Sequence, residues 1–270
     1  MPSLRPAAAY DGQRPCRIGE VHDEPTTEDL AWMRARDVDG LSIRPPRGTR
    51  RVFPLNWVEG LGLLRYLEIV SPRPVGAVPA SIVGGLEILH VQGRLHAELD
   101  LARAQRLRSL TLAQDQVEAL SSAPVLEHCG LESATRFSSS IFEGCATLRS
   151  AFVTADNRAA NPGWDFSAQG EIPLERLTLM DGGARSLDGI AALPRLRGLT
   201  ILPREDAGLE QHLDLRPLAA CSRLRRLVLH RSGTLDNAHV LDELTDLETV
   251  KVRRGAVDRT VEDRAWLRVL

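Results

Sequence analysis

The chain repeats one six-residue frame, apolar-x-x-apolar-x-apolar, ten times between Val38 and Val252. The segments are VDGLSI (38–43), LRYLEI (64–69), LEILHV (86–91), LRSLTL (107–112), LEHCGL (126–131), LRSAFV (148–153), LERLTL (174–179), LRGLTI (196–201), LRRLVL (224–229) and LETVKV (247–252). Their starts are separated by 26, 22, 21, 19, 22, 26, 22, 28 and 23 residues. Self-similarity at this period is the mark of a solenoid, whose repeats bury their apolar faces only against neighbouring copies. The repeats leave no room for a second domain of ordinary size. The expected organisation is an N-terminal segment and cap (1–37), a solenoid (38–255) and a C-terminal cap (256–270).

The end of each frame alternates apolar and polar residues, the pattern of a strand with one buried face. Successive strands at this spacing run parallel and need a returning segment between them. The returns carry inward residues of their own. Leu187, Ile190 and Leu193 precede Leu196 by nine, six and three positions, and Leu215, Leu218 and Cys221 precede Leu224 in the same way. Val117, Leu120 and Ala123 precede Leu126, Leu55, Val58 and Leu61 precede Leu64, and Leu241 and Leu244 precede Leu247. Spacing by threes suits a 3₁₀ turn or a short helix on the convex side. The fold class expected is therefore α/β: a curved solenoid, or horseshoe, with about ten parallel strands on its concave face and short 3₁₀ or irregular convex segments.

This frame resembles the leucine-rich repeat family, and within it the roughly 22-residue variety of bacterial internalins and leucine-rich phosphatase regulators. SLDGIAALPRLRGLTI (186–201) carries the likeness most fully. The resemblance implies a binding scaffold and leaves the partner open. The family places an asparagine three positions after the last strand residue of the frame. Those positions here hold Pro46, Pro72, Arg94, Asp115, Ala134, Asp156, Gly182, Arg204, Ser232 and Gly255. Without an asparagine ladder the turns should be less uniform, with water completing their hydrogen bonds.

A solenoid must cover its terminal rungs. Thr26-Thr27-Glu28-Asp29 can cap a short helix, LAWMRARD (30–37), whose Leu30, Trp32 and Met33 would lie over the first rung. At the other end VEDRAWLRVL (261–270) offers Trp266, Leu267 and Leu270 as a lid.

The polar positions of the frame form three outward columns. The first runs Asp39, Arg65, Glu87, Arg108, Glu127, Arg149, Glu175, Arg197, Arg225, Glu248. Its sign alternates at every rung from Arg65 to Arg197, and strands about 4.8 Å apart bring such residues within pairing distance. This column reads as a brace between rungs or as a recognition edge. The second column contains Tyr66, Ile88, His128, Arg176 and Arg226, and the third contains Glu68, His90 and Phe152. Tyr66, Ile88 and Phe152 are the apolar anchors expected of an interface, ringed by polar groups. Arg176, Arg225, Arg226 and Arg253 read as a basic patch; Glu68, Glu87 and Glu127 give the other half an acidic cast. Two insertions, 154–173 and 202–215, should project from one rim, the first carrying Trp164 and Phe166. The expected partner-binding set is Tyr66, Glu68, Ile88, His90, His128, Phe152, Trp164, Arg176 and Arg226.

The sequence supports no chemistry. It contains no His-Glu-x-x-His, phosphate-binding loop, dinucleotide fingerprint or nucleophile elbow. The four cysteines form no Cys-x-x-Cys pair, and Cys129, Cys145 and Cys221 occupy apolar slots of the repeat. No enzyme activity, metal or cofactor is expected. With 34 basic against 36 acidic residues, no nucleic-acid partner is expected either. The first residues lack the pattern of a secretory signal, and no apolar run reaches 18 residues. Pro2 stands where myristoylation needs glycine. The expectation is a cytoplasmic monomer without membrane attachment. Its leading function is a protein-binding scaffold that uses the concave face and one rim. The alternatives are an inhibitor or immunity-type protein that blocks a toxin or enzyme, and a substrate-recognition adaptor.

Overall fold

The computed structural model describes residues 3–6, 16–47, 51–117, 119–135, 137–156, 164–166, 168–181, 186–204, 212–230, 234–252 and 267–269. The chain is an α/β solenoid of parallel strands and short helical returns, and it divides into two compact units, Met1–Leu126 and Glu127–Leu270.

The sheet of the first unit has strands β1 (Ser3–Pro6), β2 (Arg17–Val21), β3 (Gly40–Ile43), β4 (Tyr66–Val70), β5 (Ile88–Gln92) and β6 (Ser109–Ala113), in that order. β1 is antiparallel to β2, and β2–β3, β3–β4, β4–β5 and β5–β6 are parallel. The sheet of the second unit runs β7 (His128–Ala134), β9 (Ser150–Ala155), β11 (Arg176–Met180), β12 (Gly198–Leu202), β14 (Arg226–Leu229), β16 (Thr249–Val252) and β17 (Leu267–Val269). Its strand pairs, from β7–β9 to β16–β17, are parallel. Two short parallel ladders lie outside it: β8 (Phe137–Ser138) with β10 (Trp164–Asp165), and β13 (His212–Asp214) with β15 (Thr234–Asp236).

The apolar slots of all ten frames are buried, except Leu247, which is half-buried. The charged residue before each strand also has a backbone role. The Arg65 carbonyl accepts from both Glu87 N–H (2.8 Å) and Ile88 N–H (3.0 Å), and Arg197 does the same for Arg225 and Arg226 (2.9 Å each). Asp39, Glu87, Glu127, Arg149, Glu175 and Arg225 repeat the arrangement.

The returns show why apolar residues recur by threes. Ile190 N–H donates to Leu187 O, Leu193 N–H to Ile190 O and Leu196 N–H to Leu193 O, at 3.0, 2.9 and 3.0 Å. Leu215, Leu218, Cys221 and Leu224 form the same chain at 2.9, 2.8 and 2.9 Å. A three-residue hydrogen-bond step stacks every third side chain on one side, here the buried one.

The N-terminal segment holds a rung that the leucine pattern does not display. Cys16, Gly19 and Val21 occupy the three slots of the frame, in register with the strand of the Val38 frame. Gly19 stands where other rungs carry leucine, and a β-carbon there would lie 3.1 Å from the Met33 sulfur. Met33 fills the slot from helix α1 (Thr27–Arg34). That helix starts three residues before the expected 30–37 and returns the chain from β2 to β3. Thr26 and Asp29 form its capping box: the Thr26 side chain accepts from Asp29 N–H (3.2 Å) and Asp29 accepts from Thr26 N–H (3.0 Å). At the other end Leu267 is buried as a strand residue paired with Val250. Trp266 and Leu270 lie outside the described residues.

A second parallel ladder of single bridges links Phe53, Val75 and Leu95. A side chain continues it. Gln116 donates from Nε2 to Leu95 O (2.6 Å) and accepts at Oε1 from Leu95 N–H (3.0 Å). This buried amide does at one rung what an asparagine ladder does along a regular array. Gln116 is one residue beyond Asp115, which occupies the expected ladder position.

Candidate functional site

On the first unit the outward residues mostly engage each other. Arg65 forks onto Glu87, Nε to Oε1 at 2.9 Å and Nη2 to Oε2 at 2.8 Å, and reaches Asp39 Oδ2 at 3.4 Å. The side chains of Arg65 and Glu87 are only 16% and 14% exposed. Hydrogen bonding to Arg65 holds the Glu87 carboxyl below its ordinary range, against the opposing effect of burial. Arg106 adds a second cation to Glu87 at 3.3 Å. The first column is thus a brace at these rungs.

The other two columns of this unit are similarly knitted. Glu68 Oε2 accepts from Ser42 Oγ (2.6 Å) and Arg44 Nη2 (3.2 Å). His90 Nε2 is 3.0 Å from Ser109 Oγ, and burial pushes its pKa down while Glu68 opposes that shift. The Tyr66 ring meets the His90 ring edge-on at 6.3 Å. Ile88 departs from the sequence expectation: it is 5% exposed and offers almost no apolar surface. Its register neighbours are Tyr66 on one strand and Ser109 on the next, and Ser109 is itself buried. Gly40 shows the same crowding: a β-carbon there would lie 2.9 Å from Ile18 Cγ1 and 3.3 Å from Tyr66 Cβ. An outward position on this sheet therefore does not guarantee exposure.

The second unit is more open. Phe152 on β9 is 39% exposed, between Gly130 on β7 and Thr178 on β11. With no side chain on Gly130 and a short one on Thr178, both flanks of the ring are low. His128, on the rung before, has Nδ1 2.6 Å from Ser150 Oγ. Arg176 and Arg226 are exposed and share a column, separated by Gly198. Arg225 pairs with Glu248 at 3.4 Å across two exposed side chains. The Trp164 backbone lies in register with Phe137, and its side chain lies outside the described residues, as does Arg253. Phe166, two residues after Trp164, is buried.

Within each unit the expected residues form local sets. Tyr66, Glu68, Ile88 and His90 adjoin on β4 and β5, His128 and Phe152 adjoin on β7 and β9, and Arg176 and Arg226 flank β12. Gly198 carries no signal in the repeat frame, because its value lies in the side chain it lacks, and Arg197 gains its meaning only as a neighbour of that gap.

Among the described residues, no group of three or more His, Cys, Asp or Glu is placed to hold a metal ion. Nor is any helix long and apolar enough to cross a membrane. The four cysteines are free thiols. Burial pushes Cys145 and Cys221 up to about 11 and also raises Cys129 and Cys16.

No family model and no curated protein matches the chain. Solved structures do. An internalin (inlF) from Listeria monocytogenes aligns with 86% of this chain and 72% of its own, at 15% identity and a TM-score of 0.51. Internalin C2 (inlC2) from the same organism aligns over 84% of each chain, at 14% identity and a TM-score of 0.47. The likeness to the first is one of fold: a leucine-rich-repeat-like solenoid related to those of bacterial internalins.

Proposed function

We propose that the protein is a non-catalytic scaffold that binds a partner protein through the outward sheet face of its second unit and the adjoining rim around Trp164. Phe152 carries the reading. A phenylalanine 39% exposed on a strand, between a glycine and a threonine, presents rigid apolar area at little entropic cost. Exposed arginines lie near it in the register, Arg149 entering its own strand and Arg176 on the next. An aromatic anchor inside a polar rim is the anatomy of an interface hot spot. The first unit supplies less free area, because its outward side chains bond to one another. The protein acts as a cytoplasmic monomer in this reading.

The test compares wild-type protein with Phe152→Asp as bait in extracts of the source cells, read by quantitative mass spectrometry. Circular dichroism checks that the variant is folded. The expected result is one protein enriched by the wild type and depleted about tenfold or more by the variant, since truncated hot spots cost at least roughly 2 kcal/mol. Equal recovery by both baits removes this face from the interface.

A further inference from the structure

We infer that the second unit holds a seat for an acidic side chain of the partner, built from arginines 176, 197, 225 and 226 around Gly198. This deepens the reading above and rests on it for the identity of the ligand as a protein. Gly198 lies in register with Arg176 on one side and Arg226 on the other. Two strand spacings put these arginine backbones about 9.6 Å apart, with no side chain between them. The Arg176 stem leans into the gap: its Cγ is 3.6 Å from where a β-carbon on Gly198 would stand. Arg197 enters Gly198's own strand and Arg225 enters that of Arg226, while Glu175 enters that of Arg176; all four arginines are exposed.

This is the point at which the alternating column fails. Glu127, Arg149, Glu175 and Arg197 alternate, and then Arg225 follows Arg197 directly. Like charges on adjacent strands destabilise a sheet. Arg225 is relieved from its far side by Glu248 at 3.4 Å. Among the described residues no ion pair is made by Arg176, Arg197 or Arg226. On the four strands β11, β12, β14 and β16 and the residues that enter them, the charged outward residues are Arg176, Arg197, Arg225, Arg226 and Lys251 against Glu175 and Glu248, five basic to two acidic.

Local repulsion around an open gap is lowered by an anion of the gap's size. A carboxylate fits, because a guanidinium presents paired donors to two carboxylate oxygens. Charge complementarity thus selects a Glu- or Asp-bearing segment, with Phe152 on the neighbouring β9 to receive an apolar residue of the same segment.

The test titrates purified, isotope-labelled protein with an acetylated hexaglutamate peptide, followed by amide and arginine side-chain resonances. Hexaglutamine, inorganic phosphate and a thymidine hexanucleotide serve as comparison probes. The expected result is saturable perturbation of Gly198, Arg176 and Arg226 by hexaglutamate, weakened by added salt, with no response to hexaglutamine. Arg176→Gln with Arg226→Gln should weaken it roughly threefold to tenfold. Gly198→Val, which fills the gap without a forbidden backbone, should do so with all four arginines kept. Perturbation spread over other arginines, an unaffected Gly198→Val, or tighter binding of phosphate or of the nucleotide overturns the seat. If the peptide binds here while Phe152→Asp recovers every protein the wild type does, the seat stands and the Phe152 interface falls.

Discussion

Replacing Gln116 by Met tests whether one buried amide stands in for a missing asparagine ladder. Methionine keeps the length and volume of the side chain and removes only its polar atoms. Two hydrogen bonds go, at 2.6 and 3.0 Å, and both the N–H and the carbonyl of Leu95 lose their partner. Each bond contributes about 1 kcal/mol net, and an unpaired buried backbone group costs about 1–3 kcal/mol. Since Leu95 and Gln116 are both buried, the two groups together should destabilise the fold by about 2–6 kcal/mol. Urea unfolding measures the global effect. Amide exchange at Leu95 measures the local one, which should accelerate roughly 30-fold to 20,000-fold, one decade per 1.4 kcal/mol. Gln114→Met in the same turn is the control, because Gln114 is only half-buried, and it should stay within about 0.5 kcal/mol of wild type. A Gln116→Met protein equally close to wild type, with Leu95 still protected, refutes the reasoning.

Other outcomes follow from the same packing. Leu199→Ala and Leu227→Ala each empty a fully buried slot, and each should lower the unfolding free energy by about 2–5 kcal/mol; unchanged midpoints would contradict the register. Arg65→Met leaves the mostly buried Glu87 carboxylate with only the more exposed Arg106 as cation and should cost about 1–3 kcal/mol at neutral pH. Because Arg65 lowers the Glu87 pKa, that contribution is present above the unfolded value near 4.3 and lost as pH falls through the folded one. The wild-type advantage over Arg65→Met should therefore shrink in acid, and a pH-independent gap would contradict the pairing. In native protein at pH 8, Ellman's reagent should titrate Cys16 promptly, with Cys129, Cys145 and Cys221 following only in denaturant, since these three are buried and Cys16 is half-buried. Prompt reaction of a second thiol would contradict this.

Much of the core was legible because burial imprints itself directly on a repeat. Leu196, Leu199 and Ile201 follow the strand frame, while Leu187, Ile190 and Leu193 follow the three-residue step of the return, and all are buried. The rung at Cys16, Gly19 and Val21 was not legible, because its central slot is filled from outside the strand by Met33. The frame detects leucines, and a glycine covered by a methionine leaves no trace in it. Gln116 escaped for a related reason: the hydrogen-bonding need is met one residue off the ladder position. On the outward face, strand alternation fixes direction but not exposure. Ile88 and Phe152 occupy equivalent kinds of position, and they differ because Ile88 adjoins Tyr66 while Phe152 adjoins a glycine and a threonine. Exposure is thus a property of three adjacent rungs, which no single frame records.

The most direct test of the binding face is site-specific photo-crosslinking in the source cells. Benzoylphenylalanine replaces Phe152 on the sheet face or Ala219 on the exposed side of the return Arg216–Ala220. A discrete protein adduct from position 152 and none from position 219 is the predicted result. No adduct from position 152, or the same adducts from both positions, contradicts a scaffold that binds through this face.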